Sequence, residues 1–230
     1  MKFFNFDAIS LIMISLTTFV GLTSFLFSKT YLKGDEKYKY FMVKLAMMIG
    51  CLILTFSADN IILLAGSWLL SNLLLINLMI HKSKWKEAYN SGMLSLKYLL
   101  IGFTCLVTSL TMFYRITGSL SLQNIVSYQF INNVEFTTAI ILLSLFIIIQ
   151  SGLLPFHKWI TSSLNSPTPV SAIMHAGIVN GGGFMFIRFA KVYVQHENIL
   201  EIMFIFGGIS VIISTIWKLM QNDVKRMLAC

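Results

Sequence analysis

The sequence is poor in charge, in proline and in cysteine, and each shortage excludes something. Only 11% of its 230 residues are charged, where an ordinary soluble domain carries about 25%. Hydrophobic residues make up 57% of the chain, in runs too long and too numerous for a soluble fold. Proline occurs three times, at Pro155, Pro167 and Pro169, so no Pro-rich linker divides the chain. The three cysteines, Cys51, Cys105 and Cys230, form no CxxC or metal-ligand spacing. That excludes a disulfide framework and a zinc ribbon, and leaves Cys51 and Cys105 as packing residues in apolar runs. The first apolar run is long and lacks the strongly basic flank of a cleavable signal sequence. The net charge of +8 would suit nucleic acid. Here, however, the basic residues sit in short blocks between apolar runs, as topology signals do. No nucleic-acid partner is expected; the partner is the lipid bilayer.

What is present is an all-α polytopic membrane protein, read as a single membrane domain over 1–230. A crossing needs roughly 20 apolar residues. Spans are expected near 7–28, 40–57, 60–81, 93–115, 135–153, 169–190 and 199–218, the fifth continuing past Pro155 as a half-helix to about 165. From Asp223 a further segment is expected to begin. With the N-terminus outside, one side receives Lys29, Lys33, Lys37, Lys39, Lys44, Lys82, Lys84, Lys86, Lys97, Lys158, Lys218, Lys225 and Arg226. The other receives Lys2, Arg115, Arg188 and Lys191. Thirteen against four puts the lysine-rich side and the C-terminus in the cytoplasm. Residues 29–39 and 81–92 read as solvated cytoplasmic loops. Their interleaved Tyr31, Tyr38, Tyr40 and Trp85 suit a docking surface as well as headgroup contact. Residues 57–60 form a tight external turn in which Asp59 or Asn60 caps the next helix. The external loop 116–134 carries a short surface helix within 121–130.

The prolines concentrate the chemistry. Proline inside a membrane helix removes a donor and frees carbonyls that must find other partners. Beside the break lie Gln150, His157 and Lys158; beyond it His175 sits about two turns into a helix opened by Pro167 and Pro169. An imidazole titrates near neutrality and has separate donor and acceptor nitrogens, so it can hand on a proton. The plain alternative is a neutral histidine hydrogen-bonded between helices. Gln150 can hold water but cannot titrate. Lys97 and His175 are expected to line one hydrated half-channel with Gln150, and His157, Lys158 and Lys218 complete the candidate pathway set. Lys44 reads as snorkelling to the interface. Asn72 and Asn77 read as interhelical hydrogen-bond partners, and Trp68 as packed against a neighbouring helix. The glycines after Asn180 supply a surface for close helix approach. No cluster of Cys, His and Asp suits a metal.

PFHKWI followed by SPTPVSAIMHAGIVNGGGFMFIRF resembles the signature of antiporter-like membrane subunits. These include the proton-pumping subunits of respiratory complex I and the large subunits of Mrp cation antiporters. Phe6 to Ser10, Ala58 to Asn60, Trp68, Lys97 and Asp223 to Ala229 match in the family's order and spacing. The resemblance implies two inverted repeats of five helices, each with a broken middle helix, of which this chain holds the first with a leading helix. It also implies a second membrane polypeptide completing the fold.

Two departures stand out against that resemblance. Pumping members carry a glutamate after the Trp of the third helix, where this chain has Leu69. They carry a lysine at the break, where it has Gln150. HAGIVNGGGF is most similar to the DabB-type members. That implies a subunit in a bacterial cell membrane, conducting protons or another cation to drive CO2 hydration to bicarbonate. The zinc cofactor would belong to a large DabA-like, carbonic-anhydrase-related partner on the cytoplasmic side. Two other readings are an antiporter-like subunit of a redox-driven or Mrp-type complex, and a membrane anchor that carries no ions.

Overall fold

The computed structural model describes residues 3–81, 85–131, 133–222 and 227. Lys2, Lys82, Lys84, Lys225 and Arg226 of the charge tally, and the segment expected from Asp223 apart from Met227, lie outside the described residues.

Apolar runs of this length become helices because in lipid each backbone group must bond within its own segment. Helix α1, Ala8–Tyr31, starts at Asp7, whose carboxylate accepts the Ser10 N–H at 2.9 Å. Its buried residues are Ser10, Thr17, Gly21, Ser24 and Ser28, small groups at helical spacing that let α2 approach closely. Helix α2 runs Tyr38–Ser57 and α3 Ile61–Met79. Helix α4, Lys86–Thr117, ends at Gly118 in the left-handed region, φ 67°. The surface helix α5, Leu122–Ser127, lies where one was expected. Helix α6, Val134–Gln150, is capped by Asn133, which accepts the Phe136 N–H at 2.8 Å. After the break come α7, Lys158–Ser162, and a 3-10 turn, Ser163–Asn165. Then α8, Thr168–Ile173, passes through a π-helical stretch, Met174–Val179, into α9, Asn180–Arg188. The short α10, Ala190–Val194, leads to α11, Glu197–Leu219.

Among the described residues six stretches are long and apolar enough to cross a bilayer: α1, α2, α3, α4, α8 to α9 taken together, and α11. Helix α6 is 17 residues long, about 26 Å at 1.5 Å per residue. That is short of the roughly 30 Å hydrocarbon core, because the break at its end completes the crossing. One correction concerns residues 81–92, read as a loop: α4 already begins at Lys86. Lys86, Glu87 and Ala88 are good helix formers, and a helix end projecting past the hydrocarbon carries such charges without cost.

Small side-chain ties hold the helix ends. On the Asp7 face, Asn60 caps α3, accepting from Ile62 N–H at 2.8 Å and Leu63 N–H at 3.4 Å. The buried Asp59 does not cap α3. It takes the Ser121 hydroxyl at 2.6 Å and the Gln123 N–H at 3.1 Å, and so fixes α5. On the lysine-rich face His81 Nε2 meets Asp35 at 3.1 Å and its ring lies 5.0 Å from that of Phe41. This joins the end of α3 to the loop between α1 and α2. Lys44 reaches across to Asn77 Oδ1 at 3.4 Å, so it has a partner on α3 besides the interface.

Candidate ion pathway at the broken helix

The break begins where α6 runs out at Gln150. Gly152, φ 61°, turns the chain through a conformation that residues with a Cβ avoid. The Ser151 N–H still reaches Ile147 O at 2.9 Å and the Gly152 N–H reaches Ile149 O at 3.1 Å. Ile149 O also accepts the indole N–H of the fully buried Trp159, at 2.9 Å. Leu154 N–H turns to the Ser210 hydroxyl of α11 at 3.3 Å. The exposed Pro155 has no N–H to place.

Across from the break, α8 opens on the buried Pro167 and Pro169, at the one end of a helix where missing N–H groups do no harm. His175 sits in the π-helical stretch that follows. Such a stretch widens the helix by one residue per turn and recurs at functional sites. Here it leaves Ile178 O to accept the side-chain amide of Gln150 at 3.2 Å. The next turn packs tightly. A Cβ on Gly182 would collide with the Ser151 hydroxyl and approach Ile147 O to 3.1 Å, and one on Gly181 would stand 3.2 Å from the Trp68 ring. The close approach expected of the glycine run is real for these two; Gly183 faces open space.

Between the break, the π-helical stretch and α11 lies a cavity of about 250 Å³. His157 and His175 both line it, with Ser151, Thr161, Ser210, Ser214 and Trp217. The His157 ring lies 4.7 Å from the Trp217 ring. Among the described residues no carboxylate lines the cavity. Two imidazoles and four hydroxyls can pass a proton by exchange of donor and acceptor roles; they offer little to a bare cation. Among the described residues no group of three or more His, Cys, Asp or Glu is placed to hold a metal ion.

The structure thus gathers His157 and His175, with Gln150 fully buried behind the wall. Lys158 and Lys218 are exposed chain neighbours of the lining residues His157 and Trp217. Lys97 departs from expectation: it is exposed and does not line this cavity. The buried stripe of α4 runs through Ser91, Ser95, Leu99 and Gly102, and a residue two places from Ser95 points the other way. Helix α4 is 32 residues long, about 48 Å, so Lys97 falls where its uncharged stretch of 98–114 begins. Ser210, Ser214 and Trp217 were not singled out from the sequence. Their spacing of four and three is a polar stripe on an otherwise apolar helix, a signal that would have found them. Nor was the pairing of Arg188 with Asp7, Nη1 to Oδ2 at 2.8 Å; the same Nη1 also donates to the Ser10 hydroxyl oxygen at 2.9 Å.

Comparisons with known proteins give the family and the fold. A family model described as "NADH:quinone oxidoreductase/Mrp antiporter, TM" matches residues 57–230. Another, "NADH-Ubiquinone oxidoreductase (complex I), chain 5 N-terminus", matches residues 3–42. A Bacillus anthracis protein named "Probable inorganic carbon transporter subunit DabB" is 31% identical over 97% of this chain and 44% of its own length. NADH-quinone oxidoreductase subunit L of Buchnera aphidicola subsp. Schizaphis graminum is 27% identical over 97% of this chain and 37% of its own. The chain therefore spans less than half the length of these relatives. A chain in the structure of the Mrp complex from Dietzia sp. superposes with TM-score 0.90 over 98% of this chain and 25% of its own length, at 19% identity, which establishes the fold. A broken helix packed against a histidine-bearing helix, matched by the family model over three quarters of the sequence, places this chain in the NADH:quinone oxidoreductase/Mrp antiporter transmembrane family.

Proposed function

We propose that this chain is the energy-coupling membrane subunit of an inorganic-carbon accumulating assembly of the DabB type. Protons cross through the His157–His175 cavity and the movement drives a carbonic-anhydrase-like partner carrying zinc. In the partner, CO2 and water give bicarbonate and a proton, and the free energy released as protons flow inward is coupled to that hydration and makes it one-way. The observation that carries the reading is the cavity itself: two imidazoles and a set of hydroxyls at a helix break, with no carboxylate among the described lining residues to trap a cation. Similarity to the DabB relative over nearly the whole chain supports the inorganic-carbon branch.

The partner docks on the lysine-rich face. There Asp35 and His81 tie the α1–α2 loop to the end of α3, and Tyr31, Tyr40 and Trp85 stand exposed. Rigid exposed aromatics beside basic residues favour a protein contact.

A second reading, a cation-translocating subunit of a redox-driven or Mrp-type complex, is supported by the Buchnera relative and the Mrp fold. Leu69 and Gln150 argue against it, since neither can carry the charge that the pumping members hold there. The test is growth and uptake. In cells that need elevated CO2, the assembled complex should restore growth in air and accumulate bicarbonate, and a protonophore should stop it. Restoration that survives the protonophore would sink the proton-driven reading. Cross-linking that finds no zinc-bearing protein on either loop would sink the docking.

A further inference from the structure

We propose that Trp68, Asn72 and Gln150 together bind an internal water molecule between α3, α6 and the π-helical stretch. All three are buried, at 2%, 3% and 0% exposure. Three polar atoms among them have no partner: the Trp68 indole N–H, the Asn72 amide nitrogen and the Gln150 amide oxygen. A buried polar group left without a partner costs about 1–3 kcal/mol, so native proteins keep few, and seldom several at one place. Trp68 and Asn72 lie one turn apart on the same face of α3, and Asn72 touches Gln150. The contrast with Trp159 is direct. That indole is equally buried, yet its N–H is bonded.

The missing partner must accept twice and donate once. That pattern fits neither a cation, which cannot accept, nor an anion, which cannot donate. A water fits: it accepts from the indole and from the Asn72 amide, and donates to the Gln150 oxygen. Reversing an amide does not remove the need. With Gln150 reversed, its oxygen would face the Ile178 carbonyl; with Asn72 reversed, two NH2 groups would face each other. The direct Gln150–Asn72 bond is long, 3.4 Å, while the Gln150–Ile178 bond is 3.2 Å. The orphan atoms are packed with no gap of water size beside them. The water therefore enters by parting the two amides, exchanging one marginal bond for three good ones.

The water would sit behind the cavity wall. Gln150 bonds the carbonyl of Ile178, three residues on from His175, and Val179 lines the cavity. Neither amide titrates, so a proton passing this node is carried by the water alone. The binding of the water holds whether or not the cavity conducts.

Radiolytic hydroxyl-radical labelling of the assembled complex in membranes tests this without any transport assay, because a bound water generates the radical in place. Exposed Trp85 and Trp217 set the upper rate and buried, bonded Trp159 sets the lower. Trp68 should label several-fold faster than Trp159. Asn72→Leu should bring Trp68 down to the rate of Trp159, with Trp159 itself still protected as the sign of an intact fold. Should that variant misfold, Gln150→Leu serves the same comparison. Wild-type Trp68 as protected as Trp159, or labelling undiminished in a folded variant, would overturn the proposal.

Discussion

The indole N–H of Trp159 reaches back ten residues to the carbonyl of Ile149 at 2.9 Å. A break in a membrane helix is tolerable only if its freed carbonyls are met, and here a side chain beyond the break does so. The motif thus works as a unit: Pro155 makes the gap and Trp159 closes it.

Trp159→Phe keeps an aromatic ring, removes the bond and leaves a small cavity at this fully buried site. Ile149 O retains the Gly152 N–H at 3.1 Å, so the cost of the lost bond should fall near the lower end of the range for a lost buried partner, about 1 kcal/mol. A lowered midpoint in thermal unfolding of the detergent-solubilised protein is the expected result; an unchanged midpoint would show that Gly152 alone suffices.

The glycine run offers a paired comparison. Gly182→Ala drives a methyl into Ser151 and toward Ile147 O, and overpacking of this kind costs about 1–3 kcal/mol. Gly183→Ala meets open space and should be neutral or stabilising by up to about 1 kcal/mol, since alanine is the better helix former. Equal effects of the two on unfolding would mean that α9 does not pack against α6 at this register.

Asp7 should make stability depend on acid pH. Burial would raise its carboxyl, but the Ser10 N–H and hydroxyl and the Arg188 guanidinium outweigh that and hold it below the ordinary 3.8. A depressed folded value means stabilisation that is present above the ordinary value and fades as pH falls through the folded one. The difference in unfolding midpoint between wild type and Asp7→Asn should be constant at neutral pH and shrink below 3.8. A difference that grows toward acid would reverse the sign and refute the pairing.

How much of this was legible follows from what each feature depends on. The helices were readable because lipid demands apolar length, and the break because proline marks it. The α6–α9 contact was readable in kind from Gly181 and Gly182. The π-helical stretch was not: Gly177 in MHAGIV weakens a helix but does not say that a residue is inserted, which is set by packing. Lys97 was misplaced because a charge attracts attention, whereas its direction depends on the phase of the whole buried stripe of α4. Asp7 and Arg188 lie 181 residues apart and only the folded chain joins them. Asp59 shows the same limit, since its turn was legible but the helix it caps, with Gln123 64 residues further on, was not.

The pathway itself is tested by contrast among histidines and lysine. His157 and His175 line one cavity, while Lys97 lies on the exposed side of α4. If protons pass the cavity, His175→Ala should abolish proton-dependent bicarbonate accumulation and leave the amount of assembled complex unchanged. General acid–base groups of this kind contribute roughly 10²–10⁴-fold to proton transfer, so residual activity should be hard to detect. His157→Ala should also impair it, since His157 reaches the same space beside Trp217. Lys97→Ala should retain most activity, because Lys97 is exposed and does not line the cavity. His175→Gln separates roles: glutamine can hold water but cannot titrate, so rescue by it would show that His175 only positions water. Full activity in both histidine variants, or a loss confined to Lys97→Ala, would move the path to the outer face of α4 and away from the break.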